Sequence, residues 1–169
     1  MIVLVGFMGA GKSTVGRRLA AELGLPFTDL DNEIESRLHR TVKEIFAVDG
    51  EAAFREAEHQ TLADVMAGPK KVLAIGGGAA EHAGSQQLLI AAQVVYLQVG
   101  YDEALRRVGG DAGRPMLARP DLAQVYQRRL AAYESVATLT VPTGGRGTGA
   151  VCAEVLAGLA RLSRASYPH

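Results

Sequence analysis

Apolar and polar positions fall into alternating blocks along the chain. Five short runs, "IVLVG", "PFTDLD", "KVLAIGG", "AQVVYLQVG" and "TLTVPT", are rich in Val, Ile, Leu and Tyr and predict β-strands. The first, third and fourth are almost unbroken apolar runs, the pattern of strands covered on both faces. Between them lie stretches with helical spacing. "STVGRRLAAELG" ends in a glycine, and "TVKEIF" carries Thr41 and Glu44 at capping-box spacing. "EAAFREAEHQTLADVMAG", "YDEALRRVGG", "DLAQVYQRRLAAYESVA" and "GAVCAEVLAGLARLSR" complete the helical set. Strand followed by helix, repeated, predicts an α/β fold with a parallel sheet.

Two regions break the periodicity, residues 109–120 ("GGDAGRPMLARP") and 143–149 ("TGGRGTG"). Their Gly and Pro content predicts loops. At 169 residues the chain reads as one domain over 1–169. Eighteen basic residues balance eighteen acidic ones, so the totals point to neither a nucleic-acid nor a membrane partner. The N-terminal apolar run stops at Gly6, too short for a signal peptide or a spanning helix. A soluble protein is expected. Cys152, the only cysteine, leaves no internal disulfide and fits a reducing cytoplasm as a buried core side chain.

The first strand runs directly into "GFMGAGKST". Gly6, Gly11, Lys12 and Ser13 complete G-x-x-x-x-G-K-[ST] between a predicted strand and a predicted helix, the setting this motif requires. Such a loop turns successive backbone N–H groups around an anion, and the helix N-terminus adds its positive dipole end. Lys12 can reach the outer phosphates of a nucleotide, and the Ser13 hydroxyl can ligate Mg²⁺. Gly9, Ala10 and Thr14 fill out the cradle.

Asp29 and Asp31 are two residues apart in "TDLDNEIE", so at a strand end both would leave on one face and look toward the phosphate loop. One can hold Mg²⁺ through water while the other orients or deprotonates a hydroxyl. Alternatively, Asp31 caps a helix starting near Asn32. Arg55 and Glu58, at i and i+3, are either a solvated surface pair or something more. Gly76, Gly77 and Gly78 either admit a ligand close to backbone or form a turn. Spacing alone does not decide whether Arg114 and Arg129 are ligands or solvated charges.

Taken together, "GFMGAGKSTVGRRLA", "FTDLDNEIE", "VKEIFAVDGEAAFREAE", "IGGGA", "RRVGGDAGRPML" and "RLAAYESVA" resemble the shikimate kinase family, in order and over almost the entire chain. The first stretch alone fits many phosphate-loop proteins; the combination is specific. The resemblance implies the phosphate-loop kinase fold: a five-stranded parallel sheet flanked by helices, with an acceptor-binding subregion at about 31–60 and a lid at about 109–120. It implies Mg²⁺-dependent transfer of the ATP γ-phosphoryl group to shikimate by a cytoplasmic monomer. Lys12 then resembles the phosphate-binding lysine, Ser13 the Mg²⁺ ligand, and Asp29 the acid near the metal. Asp31 resembles the acceptor-site carboxylate and candidate base. Arg55 and Arg129 resemble the arginines that clamp the shikimate carboxylate, with Gly76, Gly77 and Gly78 beside them and Glu58 steadying the pocket. Arg114 resembles the lid arginine that swings onto phosphates and substrate, and Arg107 and Arg146 the pair that sandwiches adenine.

Two positions depart from the family pattern. His39 stands where glycine is common, implying a different turn, and "PTGGRGTGAV" lacks the proline often found after its arginine. Two other readings compete. A gluconate or nucleoside monophosphate kinase would share the scaffold, and "FR..E", "GGG" and "RP-x-L" argue against it. A nucleotide switch without acceptor chemistry would carry Asn-Lys-x-Asp in its guanine-binding form, but the only asparagine, Asn32, is followed by Glu33.

Overall fold

The computed structural model describes residues 1–109, 117 and 119–165. In chain order these form β1 (Ile2–Val5), α1 (Lys12–Leu23), β2 (Phe27–Asp29), α2 (Leu30–Leu38), α3 (Val42–Val48), α4 (Gly50–Ala67) and β3 (Val72–Ala74). A 3₁₀ turn at Ala79–Glu81 follows, then α5 (Ala83–Leu89), β4 (Gln93–Gln98), α6 (Tyr101–Val108), α7 (Leu122–Val136), β5 (Leu139–Pro142) and α8 (Thr148–Ala165).

The five strands make one parallel sheet in the order β2-β3-β1-β4-β5. β1 is central, with Val3 and Leu4 wholly buried, and pairs with β3 through Val3↔Leu73 and with β4 through Val3↔Val94. The apolar runs therefore occupy the middle of the sheet, while β2 and β5 form its edges. α1 and α8 pack on each other, with α1 also against β2 and β3 and α8 against β5; α7 packs on β4. Each strand ends at the same sheet edge, and the chain leaves β1 where the strand order reverses, the usual binding crevice of such sheets.

Local chemistry accounts for the helix starts. Thr41 and Glu44 form the capping box expected at α3, with Thr41 Oγ1 accepting from Glu44 N at 3.2 Å and Glu44 Oε2 from Thr41 N at 2.7 Å. α5 has no counterpart among the helical patterns of the sequence; it is seven residues long and is capped by the His82 ring, which accepts from Ser85 N at 3.3 Å. Cys152 is wholly buried, and burial pushes its thiol above the usual range.

Two sequence expectations change. β2 is shorter than "PFTDLD": it stops at Asp29, and Asp31 lies in the first turn of α2. The helix begins earlier than Asn32 because Asp29 caps it, its Oδ1 accepting from Asp31 N at 3.2 Å. His39 closes α2 at φ 52°, the left-handed conformation that glycine adopts most easily.

Candidate active site

The donor half is built on the loop between β1 and α1. Gly6, Gly9 and Gly11 all have positive φ, and a Cβ on Gly9 would stand 2.7 Å from Ala104 O. Gly11 is the N-cap of α1, with no side-chain cap and no acidic residue in the first turn. Backbone N–H groups at that end are thus directed at whatever enters the loop. Lys12 folds across it, its Nζ donating to Gly6 O at 2.8 Å and Phe7 O at 3.2 Å. A cavity of about 490 Å³ opens here, lined by residues 9–15 together with Arg107, Thr143, Arg146 and the start of α8.

Arg107 and Arg146 both border this cavity, as the resemblance implies. Each also ties the walls together. Arg107 donates to Gly9 O at 3.0 Å, to Thr143 Oγ1 at 3.2 Å and O at 2.8 Å, and to Glu103 Oε1 at 2.6 Å. Arg146 donates to Pro142 O at 2.9 Å and pairs with Glu154 at 2.6 Å. With their Nη atoms engaged in these bonds, the flat guanidinium faces are the surfaces suited to receive a planar base. The Glu103 carboxylate also accepts from Gly145 N at 3.0 Å; that bond, ahead of the one from Arg107, lowers its pKa.

Ser13 and Asp29 meet at the floor, with Ser13 Oγ donating to Asp29 Oδ2 at 2.6 Å. No group of three or more His, Cys, Asp or Glu side chains among the described residues could hold a metal unaided. One hydroxyl and one carboxylate beside a phosphate cradle is, however, the hard-oxygen set suited to Mg²⁺, which usually keeps waters and shares substrate phosphates.

The acceptor half is a cavity of about 100 Å³ lined by Asp31, Arg55, Glu58, Gly76, Gly77, Gly78 and Arg129, with Val42, Phe46 and Phe54 on its apolar side. Ligand pockets for larger molecules run to roughly 300–1,000 Å³, so a compact occupant is indicated. Arg55 and Glu58 are no surface pair. Arg55 Nη1 donates to Glu58 Oε2 at 2.6 Å, and the Glu58 side chain is 2% exposed. Arg129 is likewise buried, with its side chain 5% exposed. The glycine run lies close under the pocket side chains: a Cβ on Gly78 would push aside the Arg55 guanidinium, and one on Gly76 would displace Glu58 Oε1.

Electrostatically, this half is strained toward neutrality. Asp31 is half-buried, but its Oδ1 is shielded and, like Glu58 Oε1, has no hydrogen-bond partner among the described residues. Burial, then the charges of Glu58 and Asp29, push the Asp31 pKa up to about 6, against the pull of Lys12 and Arg55. Asp31 is thus the carboxylate that senses both halves of the site. Burial also raises Glu58, and Arg55 opposes the shift.

Nearly every residue singled out from the sequence converges on one of these two cavities. Arg114 lies outside the described residues. Sequence reasoning missed three supports. Glu81 accepts from Arg129 Nε at 2.8 Å, the Tyr133 hydroxyl donates to Gly77 O at 2.6 Å, and Thr143 bridges β4 and Arg107. Usable signals existed for two: Glu81 lies three residues after the last glycine of the run, and Tyr133 lies one turn beyond Arg129 on the same helix.

Comparison with known proteins agrees with this geometry. The family model described as shikimate kinase matches residues 8–160. The shikimate kinase of Mycobacterium tuberculosis is 44% identical over 161 residues, covering 93% of this chain and 92% of that protein. Among solved structures, shikimate kinase from Acinetobacter baumannii in complex with shikimate superposes with a TM-score of 0.86 at 37% identity, covering 92% of this chain and 89% of the other. Shikimate kinase from Aquifex aeolicus gives 0.85 at 30% identity, with 96% and 97% covered. With a family model spanning most of its length and relatives well above 30% identity, the chain belongs to the shikimate kinase family.

Proposed function

We infer that the chain catalyses transfer of the γ-phosphoryl group of ATP to the 3-hydroxyl of shikimate, giving ADP and shikimate 3-phosphate. As a member of the shikimate kinase family it is an ATP-dependent kinase. The observation that carries the choice of acceptor is the second cavity: a buried arginine, Arg129, a half-buried one, Arg55, and a carboxylate of raised pKa, in a space fit for a small acid beside the phosphate cradle.

In this reading the loop N–H groups and Lys12 hold the outer phosphates. Arg55 and Arg129 take the acceptor carboxylate in their planar forks, which fixes the ring in one orientation. Asp31 accepts a hydrogen bond from the attacking hydroxyl and then its proton, as that oxygen bonds to the γ-phosphorus and the bond to the bridging oxygen breaks to release ADP. A carboxylate with pKa about 6 is largely ionised at neutral pH yet basic enough for that step. Ser13 and Asp29 would hold Mg²⁺, which when bound neutralises charge on the phosphate oxygens. Arg114, by family resemblance, would add charge from the lid at 109–120, and 31–60 would form the acceptor-binding subregion of the single domain. No helix among the described residues is long and apolar enough to cross a membrane, and the reading takes the enzyme as a cytoplasmic monomer.

The reading is tested by incubating the protein with ATP, Mg²⁺ and shikimate and identifying the product by phosphorus NMR. A shikimate monophosphate ester formed in step with ADP supports it. ADP with inorganic phosphate alone contradicts it.

A further inference from the structure

The two acceptor-site arginines are held differently. Arg55 is gripped by an acid on its own helix, Glu58, three residues on. Arg129, on α7, is gripped from another element: its Nε donates to Glu81 Oε2 at 2.8 Å, and Glu81 ends the 3₁₀ turn that follows the glycine run. The same helix is fastened to that run a turn later, where the Tyr133 hydroxyl donates to Gly77 O.

This contact has a defined orientation. Nε is the inner edge of a guanidinium, and the Nη atoms form its outer fork. With Nε taken by Glu81, Nη1 of Arg129 stands 3.2 Å from the position a Cβ on Gly77 would occupy, at the wall of the acceptor cavity. A free arginine head swings through many rotamers, and holding one edge removes most of that freedom before the ligand arrives. Glu81 also lies 3.4 Å from Arg128, but that side chain is 60% exposed, so this second pair is a surface contact of little worth.

We propose that Glu81 is a positioning residue for acceptor binding: by holding the Nε edge of Arg129 it presents the Nη fork to the acceptor's carboxylate. The proposal rests on Arg129 being an acceptor-carboxylate ligand. Glu81 does not touch the acceptor and takes no part in phosphoryl transfer. Its loss should therefore weaken shikimate binding while leaving the chemical step and the ATP site alone.

The test compares wild type, E81A, E81Q, R129A and the double variant E81A/R129A. Each is measured by steady-state kinetics in shikimate and in ATP, by calorimetric titration of shikimate without ATP, and by thermal melting. E81A is expected to raise the shikimate KM and Kd about tenfold or more, with kcat within about threefold and the ATP KM unchanged. E81Q keeps an oxygen to accept from Nε and should recover most of the affinity. In the R129A background, E81A should add no further loss, because the two act through one contact. E81M, which keeps the side-chain bulk and removes the acceptor, replaces E81A should the alanine variant melt early.

An unchanged shikimate KM in E81A or E81M overturns the proposal, as do losses that multiply in the double variant or fall on ATP. Failure of the wild type to turn over shikimate would instead overturn the functional reading itself.

Discussion

Arg55 Nη1 donates to Glu58 Oε2 across 2.6 Å, while the second oxygen of Glu58 is buried with no partner among the described residues. The pair therefore has two duties, to compensate a buried acid and to present a guanidinium to the acceptor. R55A should raise the shikimate KM about ten- to a hundredfold, the worth of charge-assisted hydrogen bonds of about 1.5–3 kcal/mol. It should also lower stability by about 1–3 kcal/mol, limited because Glu58 can take up a proton once its partner is gone. R55K should recover part of the stability but little of the KM, since a lysine lacks the fork. Kinetics and chemical denaturation of both variants check the split.

Asp31 sets the pH dependence. Its folded pKa of about 6 lies above the ordinary 3.8, so folding favours the neutral form. Stability from this group is therefore fully present below pH 3.8 and is lost as pH rises through about 6. D31N should be more stable than wild type at pH 8, by up to about 3 kcal/mol, with the gain disappearing near pH 4. The base needs the opposite state, so wild-type kcat/KM should fall about tenfold per pH unit below pH 6. D31N should lose at least about a hundredfold in turnover across the range while still binding ATP. Denaturation curves and a pH–rate profile run together decide this; a D31N enzyme with near-normal turnover would remove Asp31 from the mechanism.

Asp29 serves two partners with its two oxygens, Asp31 N at the start of α2 and Ser13 Oγ in the donor site. D29A should cost about 1 kcal/mol as a lost cap and raise the Mg²⁺ concentration needed for half-maximal rate. D29S should restore the cap but not the magnesium response. Melting temperatures and magnesium titrations separate the two duties.

Arg107 joins the phosphate loop at Gly9 to the β5 end at Thr143. R107A should raise the ATP KM about tenfold with little change in the shikimate KM, because only donor-side walls are untied. Initial rates with each substrate varied in turn test this.

How far the sequence spoke depended on distance along the chain. The phosphate loop is contiguous, and its spacing alone led to Lys12, Ser13 and the glycine turns. The central strands were equally plain because both their faces are buried. Asp31 was read on a strand end, since two-residue spacing suits a strand, but the Asp29 cap starts the helix two residues earlier and carries Asp31 with it. Arg55 and Arg129 come from α4 and α7, and only the resemblance joined them; spacing gave no sign that both line one cavity. Glu81 and Thr143 act across elements through hydrogen bonds to residues far along the chain, which leave no periodic trace. Sequence shows the identity of His39 but not its φ; the left-handed cap it makes costs about 1 kcal/mol.

The central claim, that the second cavity receives shikimate, is tested most directly by ADP release with ATP and Mg²⁺ in the presence of shikimate, of gluconate, or of neither. The account predicts a saturable, many-fold stimulation by shikimate alone, absent in D31N. A rate unchanged by shikimate, or raised by gluconate instead, would contradict it.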